Sequence, residues 1–529
     1  MSVPNAPRRF RTNVLWSWAT AGANIALAIF LAPLMIQKLG DEAYGIWALL
    51  FSLVEYYVLL DLGFRSAIVK HVAHYWSLGQ PREVNRVINT GLVYFAIVAV
   101  LLCVATITFA PFANRVFAVS ANYQTDFVYM ALITGCAWAV GLFFICFSSC
   151  LEAVQRFDLS SRALLVANVS RVLAILGLLL TGFGLRAVVT AAVAARIVQF
   201  VLVFLSFRKV FVQWRYAWRD ADWGVFRKLF SFSSATVPSN LAWVFLLQGP
   251  TLIIGHVLSA TFAGYYSFPG RLTQAVQDLV YRLGGVTTAR AAELAAHKDW
   301  VRIMQLAIQT NGYGLLIFSP AAIFLLAYGQ PLFRLLLSPQ YALVSAPLLP
   351  YFLAGVFFSD AGQFNSSSIL FGIAKHRLYS LLLLTEALLA IAGIYYFASR
   401  SNLVGATATC SVLMILNRGI ATPWLLCRAT RFPFFRFLYA IYARPMGVGI
   451  PILVGMVVLQ KTLLPGTTIL QLVIAGIATV MTFGALAARI CLSSEHRQQL
   501  VTLVAMRVPR FEDMARLILS SPRGHRTNH

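Results

Sequence analysis

The sequence predicts an all-α, polytopic membrane protein of about fourteen transmembrane helices with both termini in the cytoplasm. The first observation is composition. Apolar residues make up 59% of the chain and charged residues 11%, whereas soluble domains run at about half and a quarter. That charge is too sparse to cover several soluble domains, so lipid must solvate most of the chain. The second observation is division into apolar runs of membrane length. The third is that the basic residues fall in the short segments between those runs.

A hydrocarbon core about 30 Å thick takes about 20 apolar residues per helix. Runs of that length lie near residues 14–36, 44–63, 88–110, 127–148, 163–182 and 187–206. A second set follows near 230–258, 262–288, 303–327, 345–371, 378–398 and 403–427, and two more near 446–460 and 468–490. The first run follows Arg8, Arg9 and Arg11. It is too long for the apolar stretch of a cleaved signal and reads as the first transmembrane helix.

With the N-terminus inside, the inner segments hold 31 Arg and Lys residues. The outer loops hold six: Lys38, Arg115, Arg186, Arg334, Arg400 and Lys461. This bias fixes the orientation and requires an even number of spans. The net charge of +24 is therefore a topological signal, and its dispersal excludes a nucleic-acid footprint. The outer loops, none longer than about 20 residues, leave no room for the extracytoplasmic domain of an enzyme. The seven cysteines have neither zinc nor redox spacing, so no metal or cofactor is expected. In the basic tail, Phe511, Met514, Leu517 and Ile518 share a helical face beside Arg510 and Arg516. An interfacial helix and a solvated tail both fit.

Two outer turns resemble one another. Lys38-Leu39-Gly40-Asp41-Glu42-Ala43-Tyr44-Gly45 follows the first span, and Val257-Leu258-Ser259-Ala260-Thr261-Phe262-Ala263-Gly264-Tyr265 follows the seventh. Copies an even number of helices apart are parallel repeats. The expected organisation is an N-lobe at 1–228, a C-lobe at 229–435, two further helices at 436–492 and a basic tail at 493–529, with a cavity between the two six-helix lobes.

An ionisable residue inside a span is a functional candidate. Near mid-depth lie Arg171, Arg196 and Arg271, with Glu55, Asp278, Asp360 and Glu386 as acids. In the eighth span Arg271, Asp278 and Arg282 share one face, with Gln274 at its edge. Asp278 and Arg282 are spaced to pair, which leaves Arg271 to meet an anion. A diphosphate suits its planar fork, and Arg171 and Arg196 are candidates for the same role. A salt bridge from Arg271 to Glu55 or Asp360 is the alternative. The seventh span is polar on its inner half and contains Pro238 and Pro250. Its Ser233 and Asn240 share a face that suits sugar hydroxyls, a coupling cation or plain helix packing. Glu55 and Gln274 are also expected to line the cavity. Asp61 and Arg65, at i and i+4, read as a structural clasp.

The stretch Leu59-Leu60-Asp61-Leu62-Gly63-Phe64-Arg65-Ser66-Ala67-Ile68-Val69-Lys70-His71-Val72-Ala73, after the Leu39-Gly40…Tyr44-Gly45 turn, resembles the Wzx-type polysaccharide flippases of the multidrug/oligosaccharidyl-lipid/polysaccharide (MOP) exporter superfamily. The turn Glu152-Ala153-Val154-Gln155-Arg156 and the Arg271-Leu272 pair are similar to it too. The resemblance implies two MATE-like lobes plus two trailing helices, alternating access, and an undecaprenyl-diphosphate-linked oligosaccharide as cargo in the bacterial inner membrane. It implies a cavity arginine at the position of Arg271, and membrane lipids, a polysaccharide polymerase and assembly proteins as partners. Lipid II flippases of the superfamily also use arginines on the first helix, and Val14 to Ile36 contains none, which argues against lipid II. Asp360, Glu386 and Asp278 are ion-coupling candidates. A multidrug antiporter of the same architecture is the alternative; a polymerase or ligase is less consistent with the short outer loops.

Overall fold

The apolar runs fold as helices because lipid leaves every backbone N–H and C=O to be satisfied within its own segment. A computed structural model describes residues 31–117, 119–234, 237–492 and 497, and every regular element among them is helical. In chain order these are α1 (31–39), α2 (Asp41–Asp61), α3 (Phe64–Ser77), α4 (Pro81–Phe109), α5 (Gln124–Ala153), α6 (Phe157–Leu180), α7 (Leu185–Val210) and α8 (Trp223–Ser234). Then come α9 (Val237–Val257), α10 (Ala260–Ala296), α11 (Trp300–Leu336), α12 (Pro339–Gly372), α13 (Arg377–Ala398), α14 (Leu403–Thr430), α15 (Phe434–Thr462) and α16 (Ile469–Ile490).

Twelve helices among the described residues are long and apolar enough to cross a membrane. The chain is thus an all-helical, multi-pass membrane protein. Two further spans are expected from the sequence. Most of the run at 14–36 lies outside the described residues, as does the basic tail. The run at 262–288 does fold as a helix, α10, which is 37 residues long. Its charges, Arg271, Asp278 and Arg282 among them, keep it below the apolarity of the other twelve. The connection after α2, which hydropathy leaves unassigned, is helical as α3.

By packing, the chain divides into two compact units. One comprises the described residues up to Ala275 together with Ser380–Cys410, and the other Val276–Tyr379 with the described residues from Ser411 onward. The first unit has an aromatic core in which Phe64, Phe95, Phe147 and Phe207 are fully or almost fully buried. Each contributes about 1.5–3 kcal/mol of burial in water-based terms. The second unit buries Tyr328 of α11 with Val448 and Met456 of α15 and Phe483 of α16.

The two turns of similar sequence meet inside the first unit. Tyr265 Oη donates to Asp41 Oδ2 at 2.8 Å, and the Tyr44 and Phe268 rings meet edge to face at 6.2 Å. Close approach requires glycine at position 45, where a Cβ would collide with the Ala260 carbonyl oxygen. The expected side-chain clasp between Asp61 and Arg65 takes another form. Leu62 and Gly63 adopt positive φ, so the Asp61 carboxylate accepts the Arg65 backbone amide at 2.9 Å. The Arg65 guanidinium instead reaches Glu152 of α5 at 2.5 Å.

Beyond α7 the chain folds back on α4. The Asn89 amide donates to the Arg215 carbonyl at 3.1 Å, and the Asp222 amide donates to Thr90 Oγ1 at 3.1 Å. Asp222 Oδ1 caps α8 by accepting from the Val225 amide at 2.8 Å, and its other oxygen accepts from Arg86 at 2.8 Å. The Val225 amide bond, followed by the Arg86 charge and hydrogen bond, holds the Asp222 carboxyl below the usual carboxylate range.

Gly45→Leu is expected to destabilise the protein by about 1–3 kcal/mol, the usual cost of overpacking, seen as a lower midpoint of thermal unfolding in detergent. Because the Asp222 carboxyl is depressed, its contribution is complete above an unfolded value of about 3.9 and is lost as pH falls through the folded value. Asp222→Asn is expected to lower stability at pH 7 and to leave a smaller difference from wild type below about pH 4, measured as unfolding midpoints across that range.

Candidate functional site

A guanidinium inside an apolar helix demands an acceptor or an anion. The first unit contains three such side chains, Arg171 on α6, Arg196 on α7 and Arg271 on α10, with the carboxylate of Glu55 on α2 among them. Arg171 and Arg271 line a cavity of about 200 Å³ whose walls include Tyr44, Trp47, Phe51 and Phe268. Glu55 interacts electrostatically first with Arg196 and then with Arg271. Arg171 is repelled by Arg196 and Arg271. Glu55 sits where α2 tightens from α-helix to a 3₁₀ stretch at Tyr56–Asp61, an irregularity that often marks a hinge.

Contacts distinguish the three arginines. Arg196 Nη1 donates to Gln199 at 2.9 Å, and its guanidinium lies over Trp138 at 5.1 Å and Phe200 at 5.3 Å. The Nε atoms of Arg171 and Arg196 are buried with no hydrogen-bond partner among the described residues. None of the four charged groups takes part in the ion pairs within 4.0 Å among those residues. Three cations against one carboxylate leave a net positive cluster in low-dielectric surroundings. Such a cluster attracts an anion more strongly than the same charges would in water.

The second unit handles its buried charge differently. Asp360 and Arg418, 2% and 7% exposed, form an ion pair of 2.7 Å. Gln277 and Tyr281 of α10 also donate to the same carboxylate oxygen, and Gln277 donates to the Tyr281 hydroxyl. Each partner of the pair lies in a π-helical turn, Phe357–Ala361 within α12 and Ile415–Ala421 within α14. The two turns touch at Gly419, where a Cβ would lie 2.6 Å from the Phe358 carbonyl oxygen. That carbonyl, released by its π turn, accepts from Tyr442 Oη of α15 at 2.9 Å.

The other candidates are dispersed. Gln274 is half-buried on α10, one turn after Arg271, while Asn240 of α9 and Asp278 of α10 are exposed. Glu386 is buried on α13 at 3% exposure. The side chains of Ser233 and Arg282 lie outside the described residues, and with them the shared face of Ser233 and Asn240 and the Asp278–Arg282 pairing. Sequence reading missed Trp138 and Gln199 beside Arg196, and the Gln277–Tyr281–Arg418 environment of Asp360. The i, i+4 spacing of Gln277 and Tyr281 was the one available signal; π turns leave none.

A sequence profile of the family described as polysaccharide biosynthesis protein matches residues 34–346, more than half of the chain. The chain belongs to this family. An uncharacterized membrane protein of Bacillus subtilis, EpsK, is 22% identical to this polysaccharide biosynthesis protein over 427 residues, covering 79% of this chain and 83% of that one. A putative O-antigen transporter of Shigella flexneri is 20% identical over 429 residues, covering 79% and 97%. Among solved structures, the lipid II flippase MurJ in an inward closed conformation superposes with a TM-score of 0.68 at 14% identity, covering 90% of this chain and 98% of that one. An inward-facing multidrug resistance MATE family transporter of the MOP superfamily gives 0.65 at 11% identity, covering 79% and 95%. These two superpositions show that the chain shares the fold of those proteins.

Removing one partner of the buried ion pair leaves the other charge unpaired. Arg418→Gln is expected to cost about 3–5 kcal/mol. Combining Asp360→Asn with Arg418→Gln is expected to restore much of that loss. A double-mutant cycle on unfolding in detergent measures the coupling, and additive losses would show that the two side chains do not act as a pair.

Proposed function

We propose that this protein is a flippase that carries an undecaprenyl-diphosphate-linked oligosaccharide across the bacterial inner membrane by alternating access. The product is cell-surface polysaccharide: O-antigen, capsule or exopolysaccharide. The observation that carries the reading is the cavity with Arg171 and Arg271 on its wall and Arg196 close by, a cationic cluster matched to a diphosphate. Two guanidinium forks bind such a group with charge-assisted hydrogen bonds, and Trp47, Phe51 and Phe268 supply apolar surface for the lipid-proximal part of the cargo. Glu55 balances the cluster when it holds no anion.

The reading includes fourteen spans, six-helix lobes at 1–228 and 229–435, two trailing helices, and both termini inside. Moving two negative charges outward, away from a negative interior, is favoured by about 2.3 kcal/mol per charge per 100 mV. Resetting the empty carrier requires the arginine charge to be balanced, and Glu386 and Asp278 remain candidates for ion coupling. Asp360 belongs to that set only if a cation displaces Arg418. A polymerase and assembly proteins would act on the flipped cargo. A multidrug antiporter, the reading suggested by the MATE-like fold, fits less well because three half-buried arginines repel cationic drugs.

The test is a deletion strain complemented with variants. Loss of the gene is expected to abolish surface polymer and strand complete repeat units on the inner leaflet. Arg271→Ala and Arg171→Ala are each expected to slow flipping by roughly 10- to 100-fold, the worth of a hydrogen bond to a charged group. Arg271→Lys is expected to retain part of the activity, since it keeps the charge and loses the fork. Normal transport by both alanine variants would refute diphosphate binding here. Repeat units accumulating on the outer leaflet would point to a polymerase or ligase, and normal polymer with altered drug tolerance to an antiporter.

A further inference from the structure

Helix α7 ends at Val210, and the chain beyond it stays against the first unit. Phe211 and Trp214 insert into the aromatic core, and Leu229 of α8 is fully buried there. The bonds from Asn89, Thr90 and Arg86 fix the backbone between these anchors. The segment is therefore a built element, held in one arrangement at the end of a membrane-spanning helix.

Its outward side is poorly suited to water. Val212, Tyr216, Trp218 and Trp223 are 78%, 59%, 62% and 75% exposed. Arg215, Arg219, Arg227 and Lys228 are exposed between them. On α8, Trp223, Arg227 and Phe230 fall at i, i+4 and i+7, so two aromatics and a cation share one exposed face. Residues 208–228 contain six Arg and Lys against two Asp, and one of those, Asp222, is engaged by Arg86.

Exposed indole and phenol rings interleaved with cations are the composition of the membrane–water interface, where the rings lie at headgroup depth and the cations meet phosphate. The excess of positive charge selects an anionic headgroup over a zwitterionic one. The segment begins where the apolar run of α7 stops, so this surface lies at the bilayer boundary. We infer that residues 211–230 form a cradle for anionic phospholipid, in which Tyr216, Trp218, Trp223 and Phe230 seat in the interface and Arg215, Arg219, Arg227 and Lys228 bind the headgroups. This surface is separate from the arginine cavity and does not depend on the identity of the cargo.

The test uses the full chain in mild detergent, given equal amounts of phosphatidylglycerol and phosphatidylcholine, with retained lipid counted by native mass spectrometry. Wild type is expected to retain phosphatidylglycerol preferentially. Each surface cation is worth about fivefold at an anionic membrane. The variant R215Q/R219Q/R227Q/K228Q is therefore expected to lose at least roughly tenfold of phosphatidylglycerol retention without losing phosphatidylcholine. Equal retention of both lipids by wild type, or unchanged phosphatidylglycerol retention by the variant, would overturn the inference. Should the variant fail to fold, photocrosslinking in intact membranes decides, with p-benzoylphenylalanine in place of Tyr216. A phospholipid adduct supports the cradle; a protein adduct, or none, refutes it.

Discussion

Burying a guanidinium among apolar helices costs several kcal/mol unless an anion or acceptor meets it, and the two units meet that cost in different ways. In the second unit Asp360 neutralises Arg418 at contact distance, and Gln277 and Tyr281 bond the same carboxylate oxygen. Such a site is internally complete. In the first unit one carboxylate, Glu55, interacts at longer range with Arg196 and Arg271, and the Nε atoms of Arg171 and Arg196 stay without partners among the described residues. That deficit leaves the first unit with an excess of positive charge among these groups.

Helix irregularity follows the same division. The π turns of α12 and α14 bring Asp360 and Arg418 together, and the carbonyl they release is bonded by Tyr442. The irregularity in α2, at Glu55, leads into a 3₁₀ stretch and two left-handed residues before α3. One kind of distortion closes a charge pair. The other leaves the Glu55 carboxylate at a change of helical winding, without a contact ion pair among the described residues.

The two turns of similar sequence are also in contact. Each carries a Gly/Tyr pair, and within the first unit the Gly45 backbone meets Ala260 while Tyr265 reaches Asp41. Glycine at position 45 is thus explained by packing. The two turns resemble one another in sequence, and their mutual contact depends on small residues that allow the backbones to approach.

The sequence by itself determined the all-helical, multi-pass class, because composition and run length report directly on the solvent. It also singled out Arg171, Arg196, Arg271 and Glu55, since any charge within an apolar run is conspicuous. It could not say which charges are neighbours. Asp360 looked as available as Glu55 until the fold set Arg418 beside it from a helix 58 residues away in the chain. The Arg65 guanidinium likewise chose Glu152 over Asp61, because two left-handed residues turned the Asp61 carboxylate toward a backbone amide. Pairing across helices is set by rotation, π turns and close backbone approach, which depend on contacts remote in sequence, so only the tertiary structure decided which charges form contact pairs and which do not.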